Sequence, residues 1–196
     1  MRSLTIPGTP ALEGVWVGEG SRVAIIAPPH PLMGGHLSNP VVGAIVEGLC
    51  ATGYRALLFN FRGVGDSEGE ASGDLADAVA DYRAALAVAR SIAEVAFVAG
   101  YSFGGAAAIA IAEESALSVI AVAPPPALLS RTSVRGARAL CVIAGERDVI
   151  ADPADLGTLL EAVPGAVFHV VPRADHFFSS GARELTELVA AVVLER

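Results

Sequence analysis

The chain has no lysine and no glutamine, and all 13 of its basic residues are arginine. That bias fits codon drift in a GC-rich genome. Thermal adaptation is the competing reading, because asparagine, cysteine and methionine are also scarce. The two cysteines, Cys50 and Cys141, sit in apolar segments, so two buried thiols are expected rather than a disulfide. No Cys/His group has zinc spacing, which argues against a metal site. No apolar stretch reaches the ~18 residues of a membrane span. Met1-Arg2-Ser3 leads into Leu4-Thr5-Ile6-Pro7-Gly8 instead of a signal-peptide core, so a cytoplasmic protein is expected. A basic stripe is also missing: 21 acidic residues against 13 basic ones leave a net charge of −8, which argues against nucleic acid or an anionic membrane as partner.

What is present is apolar and regularly patterned. Hydrophobic residues make up 53% of the 196 residues, enough to bury a full core in a single domain spanning 1–196. Ser3–Ile6 and Leu12–Val17 read as two short strands joined by Pro7-Gly8-Thr9-Pro10, a hairpin at a sheet edge. Strand-like and helix-like segments then alternate. Strands are predicted at Arg22–Ala27, Arg55–Asn60, Val95–Ala99, Leu117–Ala123, Ala139–Ala144 and Val167–Val171. Helices are predicted at Pro40–Ala51, Asp74–Ile92, Phe103–Glu114, Pro153–Ala162 and Ala182–Leu194. This alternation predicts an α/β protein: a three-layer α/β/α sandwich around a mostly parallel, doubly wound sheet of about eight strands.

One segment carries chemistry. Gly100-Tyr101-Ser102-Phe103-Gly104 follows the apolar run Val95–Ala99 and precedes an alanine-rich helix. A strand–turn–helix junction holds a serine hydroxyl proud of the backbone, and a serine needs that exposure, plus a base, to act as a nucleophile. The helix N-terminus adds free N–H groups for a developing oxyanion. A base and an acid are then expected in other strand-end loops, since that edge of a parallel sheet forms the crevice. The loop after Ala139–Ala144 holds Gly145-Glu146-Arg147-Asp148, and the loop after Val167–Val171 holds Pro172-Arg173-Ala174-Asp175-His176-Phe177. The order Ser102, Asp148, His176 is that of a serine on such a turn, its orienting acid and its base. His30, His36 and His169 compete for the base, and Glu146, Asp152 and Asp175 for the acid. Asp152 reads instead as the N-cap of the helix beginning at Pro153.

With these motifs, the chain resembles an α/β-hydrolase, close to the small, nearly capless bacterial hydrolases of the dienelactone-hydrolase-like group. Two further loops carry the resemblance: Pro28-Pro29-His30-Pro31-Leu32-Met33-Gly34-Gly35 followed by Asn39, and Asn60-Phe61-Arg62-Gly63-Val64-Gly65-Asp66-Ser67-Glu68-Gly69. The second lacks the lysine and spacing of a phosphate loop, so no cofactor is expected; Arg62 is expected to pair internally. The oxyanion donors are expected from the backbone N–H groups of Phe103 and Leu32, with Met33 second, because Pro29 and Pro31 have no N–H. Between Ala123 and Ala139 the chain leaves room for only one short turn or helix (the loop Pro124–Gly136) where relatives insert a lid. An open, shallow cleft is expected, walled by Leu32, Met33, Tyr101, Phe103, Leu128, Leu129 and Phe177. The expected activity is hydrolysis of short-chain esters or thioesters, a small-molecule substrate, by a monomer or homodimer. A peptidase acting on small peptides and a non-catalytic binding protein are the alternatives.

Overall fold

The computed structural model describes residues 1–129 and 137–194; the last seven residues of the loop read as Pro124–Gly136, and residues 195–196, lie outside the described residues. Eight strands form one sheet: β1 (Arg2–Ile6), β2 (Leu12–Val17), β3 (Arg22–Ala27), β4 (Tyr54–Phe59), β5 (Glu94–Tyr101), β6 (Ser118–Val122), β7 (Ala139–Gly145) and β8 (Val167–Val171). Their order across the sheet is β1-β2-β4-β3-β5-β6-β7-β8. β1 and β2 form an antiparallel hairpin that pairs antiparallel with β4, and every pairing from β4 to β8 is parallel. The expected α/β architecture with a mostly parallel, doubly wound sheet is therefore the observed one.

Helices α1 (Pro40–Ala51), α2 (Leu75–Arg90), α3 (Phe103–Ser115), α4 (Pro126–Leu129), α5 (Pro153–Leu160) and α6 (Ala182–Leu194) connect or follow these strands. From β3 the chain steps to β4 on one side, then returns across β3 to β5 and proceeds to β8. Right-handed crossovers then require α1 on one face and α2, α3 and α5 on the other. The helix packing agrees: α1 lies against α6, and α2 against α3. The reversal between β3 and β5 opens a crevice at the carboxyl ends of the strands, where ligands bind in sheets of this kind.

Local sequence explains the elements. Asn39, Asp74 and Asp152 each cap a helix, accepting from Val41, Ala76 and Ala154 N–H groups at 2.9, 2.8 and 2.8 Å. Pro40 and Pro153 occupy the first turn, where their missing N–H is harmless. The buried face of α2 includes Ala78, Tyr82, Ala85, Leu86 and Ala89, as helical spacing predicts, but also Asp81. Asp81 answers Arg62: its carboxylate accepts from the Arg62 backbone N–H at 2.9 Å, from Nε at 3.0 Å and from Nη2 at 2.7 Å. Asp77 takes Nη1 of Arg62 at 2.6 Å. A carboxylate that is only 3% exposed is tolerable because these donors replace its water. The cluster ties the loop after β4 to α2. Both cysteines are thiols, Cys141 buried in β7 and Cys50 half-buried at the end of α1. Among the described residues no helix is long and apolar enough to cross a membrane.

Replacing Asp81 with alanine leaves Arg62 with Asp77 as its carboxylate partner, and losing the part-buried, charge-assisted hydrogen bonds to Asp81 costs about 2 kcal/mol. Urea unfolding of Asp81→Ala should show that loss as a lower midpoint with an unchanged slope; an unchanged midpoint would contradict the assignment.

Candidate active site

β5 extends past the predicted Ala99 to Tyr101, so the strand runs directly into the serine. Ser102 has φ 54° and ψ −120°, a backbone conformation that side chains other than glycine rarely adopt. Its N–H donates to Val122 O at 2.8 Å, and its carbonyl accepts from Gly105 N and Ala106 N at 2.9 and 3.2 Å. These bonds hold the strained turn. The flanking glycines allow it: a Cβ on Gly100 would overlap the Gly104 carbonyl, and one on Gly104 would overlap the carbonyls of Ala27 and Pro28. Helix α3 therefore begins pressed against the ends of β3 and β5. The Ser102 hydroxyl makes no cap hydrogen bond to its helix. It lies 3.1 Å from His176 Nε2.

His176 is in the loop after β8, and its Nδ1 is 2.8 Å from Asp148 Oδ2. Asp148, in the loop after β7, is 1% exposed. Its other oxygen, Oδ1, accepts from Ile150 N at 2.9 Å and Ala151 N at 2.7 Å. A buried carboxylate held by three donors accepts the proton on Nδ1 and leaves the Nε2 lone pair facing the serine hydroxyl. The structure thus brings Ser102, His176 and Asp148 together in a continuous hydrogen-bonded chain. Two backbone bonds join the loops bearing Asp148 and His176, Glu146 N to Val171 O at 2.9 Å and Arg147 N to Ala174 O at 2.8 Å. Tyr101 ties the His176 loop to β5: its hydroxyl donates to His176 O at 2.9 Å. Burial, reinforced by the charges of Asp148 and Asp175, pushes the Tyr101 phenol well above its ordinary range, so it remains a donor.

The competing groups have other partners. Glu146 accepts from Arg173 N, and Asp152 caps α5. Asp175 accepts from Ser179 N at 2.9 Å, and hydrogen bonds from the Ser179 backbone and hydroxyl hold its carboxyl below the usual range. His36 Nδ1 meets Ser38 Oγ at 2.8 Å, and His169 lies within β8 opposite Ile143.

A cleft of about 200 Å³ opens at Ser102 and His176. Of the expected walls, Met33, Tyr101, Phe103, Leu128 and Phe177 line it, joined by His30, Pro125 and Ile150. Leu129 does not: it is buried in the core, because one turn of α4 points Leu128 and Leu129 in different directions. Leu32 is also absent from the lining, and is 62% exposed.

The loop expected to supply an oxyanion donor differs from expectation in the same way. The Leu32 N–H is already spent, donating to His30 Nδ1 at 3.2 Å, and the Met33 N–H donates to His30 O at 3.0 Å. Pro31–Met33 forms a single 3-10 turn with His30 as its cap, which draws both N–H groups back onto His30. The N–H groups of His30 and Phe103, two residues that line the cleft, have no acceptor among the described residues. His30 sits between two prolines, but Pro29 and Pro31 remove only their own donors, so the His30 N–H remains.

A buried network also escaped the pattern. Asn60, fully buried, accepts from Leu37 N at 2.7 Å and donates to Glu13 Oε2 at 2.7 Å. Glu13 Oε2 also accepts from Asp66 N at 3.0 Å, and Ser67 Oγ donates to Asn60 O at 3.0 Å. This network locks the loop after β3 to the loop after β4. A carboxylate in β2, the second strand of the hairpin, gives no sequence signal of that role.

Gly104→Ala should destabilise the protein by about 2 kcal/mol, since the new methyl meets backbone carbonyls that cannot yield. Gly43→Ala in α1, where a Cβ meets nothing within 4 Å, should instead be neutral or stabilise by up to about 1 kcal/mol. Thermal unfolding of the pair checks the contrast; equal shifts would contradict the tight packing at Gly104.

The family model described as "Serine aminopeptidase, S33" matches residues 33–140. An uncharacterised protein of Rickettsia prowazekii is 27% identical over 183 residues, covering 85% of this chain and 76% of its own. An α/β serine hydrolase homologue from Coxiella burnetii superposes with a TM-score of 0.91 and 28% identity, covering 98% of this chain and 97% of its own. An α/β serine hydrolase without a lid from Xanthomonas campestris has a TM-score of 0.87 and 26% identity, covering 99% and 94%. The matched segment spans more than half of the chain and contains the Ser102 turn, so by sequence, fold and site geometry the protein belongs to the α/β serine hydrolase family that this model describes.

Proposed function

We propose that the protein is a serine carboxylic-ester hydrolase acting on small, uncharged esters or thioesters. The observation that carries the reading is the hydrogen-bonded chain from Ser102 Oγ through the His176 imidazole to the buried Asp148 carboxylate. Ser102 Oγ attacks the ester carbonyl carbon while His176 Nε2 takes its proton. The carbonyl oxygen becomes an oxyanion held by the N–H groups of His30 and Phe103, in place of the expected pair Leu32 and Phe103. Asp148 stabilises the imidazolium. His176 then protonates the leaving alkoxide, which departs and leaves an acyl group on Ser102. Water enters, gives a proton to His176 and attacks the acyl carbon; collapse releases the acid and returns the proton to Ser102.

The lining of the cleft supports the substrate class. Among the described residues that line it there is no aspartate, glutamate or arginine. An aminopeptidase, the activity named in the family description, would need a carboxylate to receive the α-ammonium of a peptide, and burying that cation without one is costly. The small volume beneath Pro125 and Leu128 favours short acyl groups. Selectivity among them rests on a few apolar contacts, each worth about 1–3 kcal/mol, so loose discrimination is expected. A binding module would gain nothing from holding Ser102 in a strained conformation.

A fluorophosphonate probe should label Ser102, with no labelling of folded Ser102→Ala and strongly reduced labelling of His176→Ala. Ser102→Ala should lower kcat for p-nitrophenyl acetate by about 10⁴-fold or more. Absence of labelling in folded wild-type protein would refute the reading. Hydrolysis should also decline from acetate and butyrate to dodecanoate esters, and peptide p-nitroanilides should not be cleaved. A rate that climbs with chain length, or amide cleavage at a comparable rate, would refute the substrate assignment.

A further inference from the structure

His30 is set up as more than a loop residue. Three N–H groups converge on it: Leu32 N on its ring Nδ1 at 3.2 Å, and Met33 N and Gly35 N on its carbonyl at 3.0 Å each. Its ring lies against Phe103, with centroids 4.7 Å apart. The ring also faces the backbone at Gly73, where a Cβ would come within 3.0 Å of Cε1 and Nε2. The imidazole is therefore held by the nucleophile helix and by the loop after β4, and its Nδ1, which accepts a hydrogen bond, carries no proton. Nε2 has no hydrogen-bond partner among the described residues. The His30 N–H is the polar backbone group of this residue left without a partner, and it belongs to a residue of the cleft.

We infer that His30 is a positioning residue: its Nδ1, by capping the turn at Leu32, sets the orientation of the oxyanion loop and of the His30 N–H. This rests on the ester-hydrolase reading and deepens it. A side-chain acceptor two residues before its donor closes a local turn whose shape is then independent of solvent. Pro31 stiffens the connection by fixing φ. The contact with Phe103 couples the same ring to the residue bearing the second donor. An oxyanion donor acts on charge present only in the transition state, so an error in its position lowers kcat and leaves KM nearly unchanged.

The test compares His30→Asn, which keeps an acceptor at the position of Nδ1, with His30→Phe and His30→Ala, which lack one. Thermal unfolding establishes that each is folded, and the half-exposed site makes the alanine variant a usable comparison if the phenylalanine variant folds poorly. With p-nitrophenyl acetate, the asparagine variant should keep kcat within about threefold of wild type. The phenylalanine and alanine variants should lose about tenfold or more in kcat, a part of the roughly 10²–10³-fold effect of deleting one donor outright, with KM changed less than about twofold. Equal kcat in the asparagine and alanine variants, or a loss carried by KM, overturns the inference. Labelling of Ser102 in the wild type separates the two levels. If Ser102 is labelled and the variants fail to split, the role of His30 is wrong; if Ser102 is not labelled, the hydrolase reading beneath it is wrong.

Discussion

The close approach of helix α3 to the ends of β3 and β5 is the constraint from which the site follows. Gly100 and Gly104 have no Cβ where one would collide with the backbone of α3, Ala27 and Pro28. That contact draws the loop after β3 toward the serine turn, so that His30 and Phe103 come to line one cleft. It also forces Ser102 into its positive-φ conformation, because the chain must reverse from strand to helix within one residue. The hydrogen bond from Ser102 N to Val122 O anchors the turn on the neighbouring strand. Strain at one residue is thereby balanced by regular structure on both sides.

The remaining groups are held by loops that brace one another. The loops bearing Asp148 and His176 are joined by backbone hydrogen bonds, and Tyr101 links the His176 loop to the strand that leads into Ser102. On the opposite side Asn60 and Glu13 join the loops after β3 and β4, while Arg62 and Asp81 join the latter to α2. These polar contacts are buried or part-buried and satisfied, so they fix geometry rather than merely add stability. The site keeps its shape because the loops after β3 and β4, and those after β7 and β8, close hydrogen bonds with one another.

Much of this was legible in the residues. Alternating apolar strands and helices specify a covered parallel sheet, since only a buried strand tolerates a run such as Val23 to Ala27. Ser102, Asp148 and His176 were readable because each follows a strand, and strand ends in a parallel sheet meet along one edge. Asp152 was readable as a cap from its place before Pro153. Boundaries moved by one or two residues, as at β5, where ladder pairing with Val122 carries the strand on to Tyr101.

What a linear reading could establish was therefore the period of the pattern, the order of the strand-end groups and the residue types able to perform acyl transfer, because these depend on local spacing and on rules common to all parallel sheets. Which N–H groups stay free, which apolar side chains face the cleft, and which carboxylates are spent on structure were decided only in three dimensions. Leu32 lost its donor to a ring two residues away, Leu129 turned into the core, and Glu13 reached a network some fifty residues distant. Each outcome depends on competition for hydrogen-bond partners and space between segments far apart in the chain, and that competition is settled only when the chain packs.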